Sequence, residues 1–154
     1  MTYLLDTDTL IFMVRGLKLS APRTEREQQR LQLGRHIVAQ CQRRHAGGDE
    51  IGLSAITVSE LEFGARNSAH YEREITAVRK VLAPFVAYDF DATRAAMHYG
   101  ELRHALETAG SPIGAMDLLI ASHARALGAV LVINNTAHFK RVSGLACENW
   151  CARA

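Results

Sequence analysis

Short apolar runs alternate along the chain with longer stretches in which apolar residues recur at helical spacing. The runs predict buried strands, and the periodic stretches predict helices with one apolar side. The predicted strands are Tyr3–Leu5, Ile51–Ile56, Phe85–Tyr88, Ala129–Ile133 and, at an edge, Glu148–Cys151. The predicted helices are Leu10–Val14, Thr24–Arg44, Thr57–Ala65, Tyr71–Leu82, Ala92–Gly110 and Ala115–Leu127. Strands that alternate with helices predict an α/β fold with a mostly parallel central sheet covered on both faces.

Length and composition restrict the classes of protein to which the chain can belong. Its 154 residues, 48% of them hydrophobic, predict a single domain over residues 1–154. No apolar stretch approaches the roughly 20 residues of a membrane span, and the opening segment carries Asp6 and Asp8 without the basic start of a signal peptide. We therefore expect a cytoplasmic protein without membrane contact. The net charge of +2 permits a polyanionic partner but does not require one.

Three carboxylates lie at predicted junctions between elements. Asp6 follows the first strand, Glu60 comes just after the second, and Asp117 is in the first turn of the helix before the last core strand. In a parallel sheet such junctions can meet at the carboxyl edge, where ligands bind. Converging carboxylates repel one another unless a cation or proton neutralises them, and hard oxygen ligands favour Mg²⁺ or Mn²⁺. The pattern indicates a metal site that could activate water against a phosphodiester.

Each acid also has a purely structural interpretation, so the hypothesis depends on their combination. Asp6 or Asp8 could cap the following helix. Glu60 lies three residues after Thr57, which is the spacing of a capping box. Asp117 could complement the helix dipole.

Three blocks of the sequence resemble the VapC-type toxins of the PIN-domain ribonuclease family. They are YLLDTDTLI at Tyr3–Ile11, AITVSELEFGA at Ala55–Ala65 and PIGAMDLLIASHARALGAVLVINNTAHFKRVSGL at Pro112–Leu145, with ENW at Glu148–Trp150. The resemblance implies a PIN-like α/β/α sandwich and an endoribonuclease that a cognate antitoxin controls, usually as a homodimer. The segment around residues 16–50 is longer than the usual link between the first two blocks. We expect this helical insertion to form the antitoxin or dimer surface.

The resemblance also assigns roles to positions of this sequence. Asp6, Glu60 and Asp117 match the family's Mg²⁺-binding acids, with Mn²⁺ a possible substitute, and Asn135 falls where members carry Asp or Asn. Ile133 departs from the pattern, because Thr or Ser is common there, and this leaves a second metal open. Asp8 stands where Asn is frequent, and we hypothesise that its charge partly compensates.

Two other functions remain open from the sequence. The segment DTDTL beginning at Asp6 also fits a haloacid-dehalogenase-like phosphatase, in which Asp6 would be the nucleophile and Asp8 its acid. Phosphatases of that class also need a pair of acids after an apolar strand late in the sequence. In this chain, the last core strand is followed by Asn134 and Asn135 instead. The departures at Ile133 and Asn135 also allow a PIN-like binding module with weak or no activity.

Overall fold

A computed structural model describes residues 1–134 and 136–152. Its strands are β1 (Thr2–Leu5), β2 (Glu50–Ser54), β3 (Val86–Tyr88), β4 (Val130–Val132) and β5 (Cys147–Glu148). They form one five-stranded sheet in the order β3-β2-β1-β4-β5, and every pair of neighbours is parallel. The parallel α/β fold predicted from the sequence is therefore confirmed. Within the described residues, no helix combines the length and apolar character needed to cross a membrane.

Seven helices connect and cover these strands in the part of the chain that the structure describes. They are α1 (Thr7–Leu17), α2 (Glu25–Ala46), α3 (Ala55–Arg66), α4 (Tyr71–Leu82), α5 (Ala95–Thr108), α6 (Ala115–Leu127) and the single turn α7 (Thr136–Phe139). The segment predicted as an insertion contains the end of α1, a connection and the whole of α2.

Side-chain hydrogen bonds explain two of the element boundaries that were predicted wrongly. The second strand was predicted to continue to Ile56, but the Ser54 hydroxyl accepts a hydrogen bond from the Ile56 N–H at 3.1 Å and starts α3 at Ala55. The fifth long helix was predicted from Ala92 but starts at Ala95, because the Asp91 carboxylate accepts backbone N–H groups in the preceding turn. The last strand was predicted over Glu148–Cys151 and comprises Cys147–Glu148 instead.

Alternation along β1 divides the core into two layers. Tyr3 and Leu5 belong to the hydrophobic cluster that α1, α2, α3 and α4 cover, whereas Leu4 belongs to the cluster beneath α5 and α6. Successive strand residues point to opposite faces, so β1 must be apolar on both sides in a covered sheet. The result is an α/β/α sandwich with β1 at its centre.

The helices α1 and α2 cross so closely that only glycine fits at the contact. A Cβ atom at Gly16 would lie closer to the carbonyl oxygen of Arg30 than the 3.0 Å that real Cβ atoms respect. It would also meet the Cα atom of Gly34 at 3.1 Å. Because both obstacles are backbone atoms, a side chain at Gly16 would force the two helices apart.

We predict that Gly16→Ala lowers the free energy of unfolding by about 1 to 3 kcal/mol, measured by urea denaturation. The matched control is Gly100→Ala in α5, where no atom lies within 4 Å of an added Cβ. This control should stabilise the protein by up to about 1 kcal/mol, because alanine favours a helix over glycine. Equal effects of the two substitutions would contradict the close helix crossing.

Candidate active site

Asp6 occupies the junction between the central strand and α1. Its backbone N–H donates to the carbonyl oxygen of Val132 at 2.9 Å, which holds it against β4. Its Oδ1 accepts the Thr7 N–H at 2.8 Å and caps α1, so the structural interpretation of Asp6 is correct. The side chain is only 5% exposed, and no described group donates a hydrogen bond to Oδ2. One oxygen thus serves the fold while the other can serve a ligand.

Glu60 is held toward Asp6 by the neighbouring threonine. The Thr7 hydroxyl lies in a short hydrogen bond with Glu60 Oε2 and 3.3 Å from the Thr57 hydroxyl. Helix α3 begins at Ala55, two residues before Thr57, so Thr57 and Glu60 do not form a capping box. That structural interpretation of Glu60 is wrong, and its carboxylate instead joins α3 to the start of α1.

Asp117 approaches the same region from α6. It lies in the first turn of that helix, where a negative charge complements the helix dipole, and its side chain is 35% exposed. The Nδ1 atom of His138 in α7 lies 3.1 Å from Asp117 Oδ2. Asp117 therefore contacts a residue that follows the last core strand, as a site built across that strand requires.

Electrostatics show that the acids share one environment. The pKa of Asp6 is raised to about 7, and burial is the largest cause. The hydrogen bond from the Thr7 N–H offsets part of the rise, while the negative charges of Asp8, Asp117 and Glu60 contribute to it. Glu60, Asp117 and exposed Asp8 therefore lie near enough to Asp6 for their charges to act on it. A bound cation would relieve this repulsion.

The oxygen-rich donor set fits a hard divalent cation, but its side chains are held by protein contacts. Within residues 1–134 and 136–152, no group of three His, Cys, Asp or Glu side chains is arranged to hold a metal ion. Glu60 bonds to Thr7 and Asp117 contacts His138. Ligation by all three acids would therefore require their carboxylates to come closer together than they are in this structure.

Comparison with known proteins identifies the family. The family model for the PIN domain matches residues 3–145. The chain is 34% identical over 149 residues to the tRNA(fMet)-specific endonuclease VapC of Salmonella typhimurium, an alignment that covers 97% of this chain and 98% of that protein. The chain belongs to the VapC-type branch of the PIN-domain family. It is also 32% identical to the ribonuclease VapC of Haemophilus influenzae, over 96% of this chain and 97% of that one.

Solved structures agree with this assignment of the VapC-type chain. The DNA-bound VapBC structure from Salmonella typhimurium matches with a TM-score of 0.80 and 32% identity, covering 98% of this chain and 99% of that one. VapBC2 from Rickettsia felis, bound to a DNA fragment from its promoter, matches with a TM-score of 0.77 and 33% identity, covering 97% and 99%. The PIN-like α/β/α sandwich is therefore confirmed.

The sequence relates two further positions, Asn135 and Ile133, to this VapC-type site, and the structure describes only Ile133. Asn135 lies outside the described residues, so its role stays a prediction. Ile133 is fully buried in the cluster beneath α5 and α6, and its N–H donates to the carbonyl oxygen of Glu148. Its side chain therefore contributes to the core and offers the site no hydroxyl.

Sequence reasoning missed the groups that hold the VapC-type acids in place. Thr7 follows Asp6 directly and could have been found as a hydroxyl in the same junction. His138 had no signal, because its contact with Asp117 spans 21 positions. Buried His123 gave no sequence signal either. Its Nδ1 lies 2.8 Å from the Ser54 hydroxyl, and this contact links α6 to the start of α3. These contacts depend on how the helices pack.

We predict that Asp6→Asn stabilises the protein by about 2 to 4 kcal/mol at pH 8. Asp6 ionises above about pH 4 in the unfolded chain and above about pH 7 in the folded protein. The folded state holds the extra proton between these values, so stability falls as pH rises through this window, and the penalty is complete above it. Asparagine removes the charge and can still cap α1.

Urea denaturation at pH 8 and pH 5 measures this effect. The advantage of Asp6→Asn should be larger at pH 8, while Glu72→Gln, which changes an exposed acid on α4, should show little difference between the two pH values. An Asp6→Asn variant that is less stable than the parent protein at pH 8 would contradict the conclusion that the ionised Asp6 carboxylate destabilises the fold.

Proposed function

We propose that this protein is a Mg²⁺-dependent endoribonuclease, able to use Mn²⁺, and the toxin of a toxin–antitoxin pair. The observation that carries the proposal is buried Asp6, whose pKa is raised to about 7 by burial and by nearby charges that include Asp117 and Glu60. Two relatives over 30% identical are named as an endonuclease and a ribonuclease, which supports RNA as the substrate. We infer that single-stranded or looped RNA reaches the acids.

The proposed roles follow from the contacts of each acid. Asp6 would bind the cation through Oδ2 while Oδ1 keeps its place at the start of α1. Glu60 and Asp117 would complete the site from α3 and α6. The bound ion would supply activation of water and neutralisation of the charge that grows on the phosphodiester. Asn135 would support the site from beyond β4.

Partners are part of the same proposal. The VapBC structures from Salmonella typhimurium and Rickettsia felis match this chain at over 30% identity, so we infer a cognate antitoxin for it. A homodimer is proposed on the resemblance alone. We also propose that the helical segment around residues 16–50 forms the antitoxin or dimer surface.

The two alternative functions have unequal support. Membership of the PIN-domain family removes the main support for a haloacid-dehalogenase-like phosphatase, since DTDTL is a short motif and the rest of the fold belongs elsewhere. A PIN-like module with weak activity is favoured by one observation, the buried Ile133 at a position where a hydroxyl is common in the family. RNA cleavage by the purified protein separates this alternative from the proposal.

The deciding experiment incubates antitoxin-free protein with total RNA in Mg²⁺, Mn²⁺ or EDTA. We expect cleavage with either cation and none with EDTA. Asp117→Asn should reduce the rate at least about a hundredfold, because a group that stabilises the charged transition state is lost. Glu72→Gln, which changes an exposed acid on α4, a helix that carries none of the three acids, is the control and should leave the rate unchanged. Cleavage that persists in EDTA would overturn the metal mechanism, and hydrolysis of a phosphate monoester without RNA cleavage would favour a phosphatase.

A further prediction concerns Asp8, whose charge raises the pKa of Asp6. If Asp8 partly compensates for the missing hydroxyl at Ile133, Asp8→Asn should weaken Mg²⁺ binding by about tenfold, as loss of a group around a metal site does. Isothermal titration calorimetry measures the affinity, with Glu72→Gln as the matched control for a lost acid. Equal affinities of Asp8→Asn and the parent protein would count against compensation.

A further inference from the structure

A small cavity lies between α5 and the start of α6, the helix that carries Asp117. Its volume is about 150 Å³, well below the roughly 300 Å³ at which pockets for drug-sized ligands begin, so it suits a single flat ring system. We call it the Tyr99 pocket. Its walls include Tyr99, Leu106, Ile113 and Leu118, and Arg103 and Glu107 also line it.

The polar groups of the Tyr99 pocket are already held in place. The Arg103 guanidinium donates to Glu107 at 2.9 Å and lies 3.5 Å from the Tyr99 hydroxyl. Tyr99 itself is half-buried. An aromatic ring held beside a guanidinium is the surface on which unpaired bases stack in proteins that bind single-stranded nucleic acid.

A continuous series of contacts connects the acids with the Tyr99 pocket. His138 contacts Asp117 at 3.1 Å, and Arg141 lies three residues further along the chain. The Nη1 atom of Arg141 donates to the carbonyl oxygen of Pro112 at 3.4 Å, and Pro112 lines the pocket. We call the surface from His138 through Arg141 to Pro112 the Arg141 bridge.

The charge of the Arg141 bridge complements a phosphate backbone. Arg141 is exposed and has no carboxylate partner among the residues that the structure describes, and Lys140 beside it is exposed as well. An acidic centre repels RNA, so flanking cations are needed to bring the backbone close. Phosphate contacts of this kind position a strand, while base contacts select it.

The larger groove of the protein does not compete for this role. It has a volume of about 870 Å³ and runs between α1, α2 and α4, where Glu50 and Val86 line it. These residues begin β2 and β3, so the groove includes the amino edge of the sheet, whereas the acids lie at the carboxyl edge. The Tyr99 pocket instead includes Ala115 and Leu118, which flank Asp117 on α6.

We propose that the Tyr99 pocket holds one unpaired base of the RNA substrate while Arg141 binds the backbone phosphate between that base and the acids. This inference rests on the proposed ribonuclease function and adds to it a determinant of substrate choice. Tyr99 and Arg141 are binding residues, and neither takes part in the chemistry.

The test uses the Asp6→Asn background, so that RNA is bound but not cut. Binding of a short, unstructured, fluorescently labelled RNA is measured by anisotropy as salt rises from about 50 to 200 mM. Tyr99→Ala should weaken binding about tenfold, and Tyr99→Phe, which keeps the ring, should weaken it less. Arg141→Gln should reduce the magnitude of the salt slope by about 0.7, as loss of one phosphate contact with a single strand predicts.

The matched control is Arg73→Gln, an exposed arginine on α4 in the opposite layer, which should change neither quantity. An abasic nucleotide at the position that fills the pocket should reproduce the loss caused by Tyr99→Ala, and the two changes together should add little more. Arg141→Gln and the abasic nucleotide keep the inference testable if Tyr99→Ala fails to fold.

Unchanged RNA binding in both Tyr99→Ala and Arg141→Gln, with wild-type protein that still cleaves RNA, would overturn this inference and leave the proposed function intact. Absence of cleavage by the wild-type protein would instead overturn the proposed function. If the two variants lose antitoxin binding but not RNA binding, the surface belongs to a protein interface and the inference is wrong.

Discussion

The burial of a carboxylate where the central strand ends is the constraint on which the rest of the site depends. Parallel strands end on the same edge, and β1 is flanked by neighbours on both sides, so the residue that follows it is enclosed by the fold. In this protein that residue is Asp6, and burial raises its pKa to about 7. A buried carboxylate of this kind points to a functional role, because a neutral residue could cap α1 at lower electrostatic cost.

The surrounding structure increases this cost further. Asp8, Glu60 and Asp117 all add negative potential at Asp6. Thr7 and His138 hold two of these acids by hydrogen bonds, so the protein fixes the repulsive groups near one another. Such an arrangement stores electrostatic energy that a divalent cation would release on binding, and the same cation would then stabilise the negative charge of a phosphodiester. The fold and the proposed chemistry thus depend on one group of charges.

The sequence allowed the fold class, most of the elements and the three acids to be predicted, because each leaves a local signal. Apolar runs such as Tyr3–Leu5 indicate strands, and acids at their ends indicate a site at the carboxyl edge. Exact boundaries could not be predicted, since capping by Ser54 and Asp91 competes with hydrophobic patterning over only a few residues. Contacts such as Asp117 with His138 are set by packing between distant segments, so spacing along the chain carries no trace of them.

Crystals of the protein grown with Mn²⁺ and measured at the manganese absorption edge test the central claim most directly. If Asp6 binds the divalent cation, we expect an anomalous difference peak within ligation distance, about 2.0 to 2.6 Å, of Asp6 Oδ2. We also expect Glu60 and Asp117 to have turned from Thr7 and His138 toward the ion. Saturating Mn²⁺ with no peak at Asp6, or with Glu60 and Asp117 unchanged and uninvolved, would contradict this claim.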